Sequence, residues 1–171
     1  MSSLHRRVNA ANSDDRAVRE PDSPQALRNR ALRLLAGREH TCLELTRKLT
    51  PHAPSPEVLQ ALLETLMAKG LLSDERYAQA RSHSLQRKFG VSRIARELRD
   101  KGVAAETVER LMRDAQATEL SRARDVWKKK FGLIATDAAG RAKQMRFLAS
   151  RGFGFAVIRR VTGAEDTEET A

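Results

Sequence analysis

Few residues of this 171-residue chain are spaced for bond-making chemistry. There are four histidines (His5, His40, His52 and His83) and one cysteine, Cys42. His40 and Cys42 stand two positions apart, which puts them on different faces of a helix, and nothing nearby completes the four ligands of a structural zinc site. Cys42 falls on an apolar stripe and reads as a buried structural thiol rather than a nucleophile. A lone cysteine also excludes an internal disulfide and fits a reducing compartment. No glycine-rich loop is followed by Lys-Ser or Lys-Thr, so a P-loop cradle for nucleotide phosphates is excluded. Carboxylates lie in helical register with bases rather than with each other, and Asp74-Glu75 reads as first-turn charge complementing a helix dipole. The expectation is a protein that is not an enzyme and uses no metal and no cofactor.

The basic residues are the remaining chemistry. The chain carries 32 Lys and Arg against 22 Asp and Glu, a net charge of +10. The charge is uneven: residues 119–163 hold 11 bases and 3 acids, whereas residues 164–171 hold four acids and no base. Arg93, Arg96 and Arg99 lie outside the apolar stripe of one helix, with Lys101 just beyond. Lys128, Lys129 and Lys130 follow as a run, then Arg141, Lys143, Arg146 and Arg151. Such a supply of cations calls for a polyanionic partner, either nucleic acid or an acidic protein surface. Aromatics among these bases could stack on unpaired bases, but their helical spacing assigns Tyr77, Phe89, Trp127, Phe131 and Phe147 to the core, with Ile94, Leu98 and Leu148.

The elements that must position these residues are helices throughout. Leu49, Leu98 and Leu148 close three similar patterns at separations of 49 and 50 residues. A second apolar anchor follows each (Leu59, Val108, Ile158), then a third (Leu62, Leu111, Val161). A fixed period of this length means stacked helical units, which build an extended surface rather than one pocket. Ser23-Pro24, Thr41 with Glu44, Ser55-Pro56, Ser73 and Ser92 read as helix starts, and Gly70 and Gly102 as stops. The tripeptide Lys-Phe-Gly occurs at 88–90 and again at 130–132, after which an insert at 133–140 interrupts the third unit. The fold expected is all-α, an elongated array of three tandem three-helix repeats. Its bounds are 25–72, 73–116 and 117–163, between a disordered arm (1–24) and an acidic tail (164–171). No run is long and apolar enough to span a bilayer, and no secretory signal opens the chain, so a cytoplasmic protein is expected.

The segments Arg38-Glu-His-Thr-Cys-Leu-Glu-Leu-Thr-Arg-Lys-Leu and Gly70-Leu-Leu-Ser-Asp-Glu-Arg-Tyr-Ala resemble the RecX family of bacterial recombination regulators. So do Gly90-Val-Ser-Arg-Ile-Ala-Arg-Glu-Leu-Arg-Asp-Lys-Gly-Val and Phe147-Leu-Ala-Ser-Arg-Gly-Phe, and the likeness runs in order over about residues 26–162. The resemblance implies that the elongated array is curved and lies in the groove of the RecA filament on single-stranded DNA. There it would restrain ATP hydrolysis, strand exchange and stimulation of repressor self-cleavage. Direct DNA contact and a monomeric state go with that expectation. The competing reading is a general or sequence-specific DNA-binding helical protein without RecA, and a third is an adaptor for an acidic protein.

Overall fold

A computed structural model describes residues 21–163, which form α-helices joined by short turns, with no strand among them. The helices are α1 (Pro24–Gly37), α2 (Cys42–Leu49), α3 (Pro56–Ala68), α4 (Asp74–Gln86) and α5 (Val91–Asp100), followed by α6 (Ala105–Gln116), α7 (Glu119–Lys130), α8 (Ala138–Ser150) and α9 (Phe155–Thr162). A single 3-10 turn, Thr50–His52, sits between α2 and α3. The acidic tail and all but the last four residues of the expected arm lie outside the described residues. Those four are held rather than loose. The Asp22 amide donates to the His52 carbonyl at 2.8 Å, and its carboxylate accepts from Arg30 Nε at 2.8 Å.

Local chemistry sets the helix starts. The side-chain oxygens of Ser23, Thr41, Ser55, Ser73 and Asp137 each accept an amide from the first turn of α1, α2, α3, α4 and α8. Each satisfies one of the amides that a helix end leaves without a partner. At α5 the expected Ser92 cap is absent: the helix begins one residue earlier, at Val91, with Gly90 in the cap position and no side-chain cap of its own.

The sequence period is a packing period, and the fold is an all-α helical repeat. Leu49, Leu98 and Leu148 are fully buried, and Leu59, Val108 and Ile158 nearly so. They anchor three separate apolar clusters. The first draws on α1–α3, the second on α4–α6 and the third on α7–α9. Helices of 8 to 14 residues are marginal alone, and this burial is what stabilises them.

Tyr77, Ile94, Leu98 and Leu148 are buried. Phe89, Trp127, Phe131 and Phe147, which helical spacing assigned to the core, are only half-buried; Phe89, Trp127 and Phe147 pack against the clusters from the rim, and Phe131 meets Phe147 edge-on. Bundles of three short helices have room inside for Leu, Val and Ala. Most of the large rings therefore stay at the edge, Tyr77 and Phe153 being the two that enter a core.

Neighbouring units are joined by the same device used twice. The Cys42 amide at the start of α2 donates to Asp74 Oδ1 at 2.7 Å, and Asp74 is the first residue of α4 in the next unit. The Val91 amide at the start of α5 donates to Glu119 Oε1 at 2.9 Å, and Glu119 is the first residue of α7 in the unit after that. Asp74 thus serves the preceding unit's helix as well as its own dipole. The glycine loops echo this: a Cβ on Gly102 would lie 2.9 Å from Leu43, and one on Gly152 would lie 2.6 Å from the Arg93 backbone nitrogen. At the second joint the backbones pair directly, Gly90 donating to the Arg151 carbonyl at 2.9 Å and Ser92 to that of Gly152 at 3.2 Å. The two Lys-Phe-Gly copies are therefore not equivalent. Gly90 is pressed against Gly152, whereas Gly132 adopts positive φ in an open turn.

Candidate polyanion interface

The cations of this surface divide by whether an acid already holds them. Arg30 pairs with Asp22 at the start of the first unit, Arg76 with Glu39 across its joint with the second, and Arg81 with Glu97 and Arg110 with Glu75 within the second. Glu44 accepts from Arg38 at 3.0 Å and from Lys101 at 2.7 Å, clasping the two units together. Burial alone would raise the Glu44 pKa, but these two cations carry it down to about 2. Lys101 is accordingly part of the joint, and its own pKa is raised by the same bond. This removes it from the contact set that the sequence suggested. Arg141 also has structural work, donating to the Thr136 carbonyl at 2.6 Å and to that of Ala135 at 3.4 Å. The insert expected at 133–140 is thus a stapled loop as far as Asp137 and then the first residues of α8, further held by Trp127 Nε1 to Gln144 (3.1 Å) and Gln144 Nε2 to the Leu133 carbonyl (2.8 Å).

Arg122 was passed over in the sequence reading. Its half-buried guanidinium donates to the carbonyls of Gln86, Phe89 and Ala115, binding the ends of α4 and α6 to α7. Desolvation lowers its pKa. The signal available was its place four residues before Val126, one of the inward positions of α7, which puts the two on the same face.

The other suggested residues fall into three places. Arg96 and Arg99 line a cleft between α5 and α6 that also holds Asp100 and Glu109. Arg93 and Arg96 line a second, toward Ser150 and Gly152, shared with Glu97 and Asp100. Acids dilute the charge of both. A third groove, between the second and third units, brings Lys129, Lys130 and Arg151 together with Arg87 and Lys88 around Phe89, Val126 and Phe147, and no acid lines it. Lys128, Lys143 and Arg146 are exposed on α7 and α8 but do not line it. The Lys128–Lys130 run occupies the last turn of α7, where cations complement the negative end of the helix dipole. Sequence reasoning missed Arg87 and Lys88, although Lys88 stands in the repeated tripeptide beside Phe89.

Two arginines are fixed by aromatic rings. The Arg93 guanidinium lies 4.0 Å from the Phe89 centroid and donates to the Ser150 carbonyl at 3.3 Å. That of Arg151 lies 3.8 Å from the Phe147 centroid, whose ring meets Phe131 edge-on at 5.1 Å. Such stacking holds a guanidinium plane still while its N–H edge stays available to an oxyanion. Among the described residues no group of three or more His, Cys, Asp or Glu could hold a metal, and no helix is long and apolar enough to cross a membrane. His40 is buried with Nδ1 3.0 Å from the Arg38 carbonyl oxygen, and burial raises the Cys42 thiol pKa.

Residues 73–112 match the model of the RecX second three-helix domain, and residues 117–162 match that of the third. The chain is 44% identical over 143 residues to the regulatory protein RecX of Leptothrix cholodnii, covering 84% of this chain and 91% of that one. The chain belongs to the RecX family. Other RecX relatives agree, that of Chromobacterium violaceum at 43% (83% and 93% covered) and that of Pseudomonas putida strain GB-1 at 40% (86% and 96%). The fold matches the crystal structure of RecX from Lactobacillus salivarius with a TM-score of 0.71 at 19% identity, over 84% of this chain and 96% of that one. A second crystal structure of a regulatory protein RecX gives 0.66 at 19% identity, over 82% and 73%.

Proposed function

We propose that this RecX-family chain is a non-enzymatic regulatory protein of the cytoplasm, acting as a monomer. Its target would be the RecA filament on single-stranded DNA, where it restrains ATP hydrolysis, strand exchange and coprotease stimulation. The observation that carries this reading is the 44% identity, over most of both chains, to a protein named regulatory protein RecX. The distribution of charge supports it: residues 119–163 hold 11 bases against 3 acids, which suits a filament that presents phosphates and acidic side chains together. Arg93, Arg96, Arg99, Lys128–Lys130, Lys143, Arg146 and Arg151 form the proposed contact set, without Lys101 and Arg141. The three units, taken as 25–72, 73–116 and 117–163, would lie along neighbouring protomers.

The test is RecA ATP hydrolysis on single-stranded DNA with this protein titrated well below the RecA concentration, and bare-DNA binding measured at the same salt. Inhibition at substoichiometric levels is the expected result. Inhibition appearing only once the DNA is coated would show simple competition and replace this reading with general DNA binding. Replacing Lys128, Lys129 and Lys130 with Ala should weaken filament binding while helicity is retained, and unchanged affinity and salt dependence would remove those lysines from the contact set.

A further inference from the structure

The third groove differs in kind from the other two. Its rim is cationic throughout, from Arg87, Lys88, Lys129, Lys130 and Arg151, and its floor is apolar, from Phe89, Val126 and Phe147. Its volume of about 750 Å³ is of the size that takes a compact organic ligand. A groove for protein acids alone has no need of half-exposed rings. A groove for duplex phosphates cannot use them either, because paired and stacked bases do not reach a floor below the rim. Cations that track a backbone above aromatic and aliphatic surface are what an unpaired nucleotide requires.

We propose that this groove seats one or two nucleotides of single-stranded nucleic acid, with bases against Phe89, Val126 and Phe147 and phosphates on Lys129, Lys130 and Arg151. Arg151 is suited to a phosphate oxygen because Phe147 fixes its plane and no acid among the described residues competes for it. The groove exists only where the second and third units meet. Phe89 lies in the α4–α5 connection, Lys129 and Lys130 end α7, and Phe147 and Arg151 come from the close of α8. The backbone pairing of Gly90 with Arg151 holds those two walls in register. The inference does not depend on RecA: it concerns the free protein and a bare strand.

The test is fluorescence anisotropy of a short labelled homopyrimidine strand, with a duplex of equal length as comparison, over a series of salt concentrations. In Lys129→Ala/Lys130→Ala, single-strand affinity should fall about tenfold and the log–log salt slope should drop by about 1.4, at about 0.7 per lost phosphate contact. In Phe147→Leu, which keeps apolar bulk but removes the ring, single-strand affinity should fall about tenfold with the slope unchanged, while duplex binding barely moves. Arg47→Ala/Lys48→Ala makes the same charge change on exposed positions of α2 and should leave both slopes as they were. Circular dichroism checks that each variant keeps its helices, and the exposed lysine pair carries the test if the ring variant does not. The proposal is overturned by unchanged single-strand binding in the lysine variant, by equal losses on strand and duplex, or by an equal loss in the α2 control. Displacement of the strand by a polyglutamate peptide as effectively as by unlabelled strand would also overturn it, in favour of an acidic protein segment.

Discussion

Replacing Glu119 with Ala should loosen the second joint by an amount that the structure allows to be worked out. Glu119 is 7% exposed, and its Oε1 accepts the Val91 amide at 2.9 Å. The cap of α5 therefore comes from another unit, since Gly90 has no side chain to supply one. A hydrogen bond to a charged group contributes about 1.5–3 kcal/mol, and a carboxylate at a helix N-terminus about 0.3–1 kcal/mol more. Partial replacement by water at the opened site brings the expected loss to about 2–3 kcal/mol. For a chain of this size that corresponds to a fall in Tm of roughly 4–12 °C, at about 2–4 °C per kcal/mol. Glu119→Gln keeps an acceptor without the charge and should lose about half as much. The assay is urea unfolding monitored by far-UV circular dichroism, with the same pair of substitutions made at Asp74, the matching acid of the first joint. A Glu119→Ala protein within about 0.5 kcal/mol of the parent would refute the reasoning, because a solvent-exposed acid behaves that way and a buried inter-unit cap does not.

Gly152→Ala should destabilise by more than about 1 kcal/mol and by more than Gly102→Ala, since both need positive φ but the added Cβ meets Arg93 backbone in one case and the movable Leu43 side chain in the other; urea midpoints decide the order. The Glu44 pKa is depressed from 4.5 to about 2, so its contribution is complete above pH 4.5 and disappears as the pH falls toward 2; Glu44→Gln should flatten stability across that window. His40 is also depressed, by burial, below its ordinary 6.5. Its contribution is therefore complete above pH 6.5 and fades as acid is added below it, and His40→Gln should remove that earlier loss in stability measured at successive pH values.

Much of the fold was legible because periodic burial writes itself into composition. Leu49, Leu98 and Leu148 announce their spacing, and each proves fully buried. Ser23, Thr41, Ser55 and Ser73 cap the helices whose starts they mark, since a cap acts within three residues. Ser92 fails for an instructive reason: Glu119, 28 residues after Val91, supplies the acceptor for the Val91 amide, and no local pattern reports that. The candidate site was less legible. Lys101 and Lys129 look alike along the chain, yet one is held by Glu44 and the other stands beside a groove without acids. Partners of a charge are set by which helices lie side by side.

By itself the sequence determined the helices, their repeat, the surplus of positive charge and the resemblance to the RecX family, because each depends on residue type at short or regular separation. Only the tertiary structure decided which cations are neutralised, which aromatics stay at the rim, and that Phe89, Val126, Lys129, Lys130, Phe147 and Arg151 share one groove. The physical reason is that the groove is made by the packing of two units, and residues up to 62 positions apart acquire a common environment only when Gly90 comes to rest against Gly152.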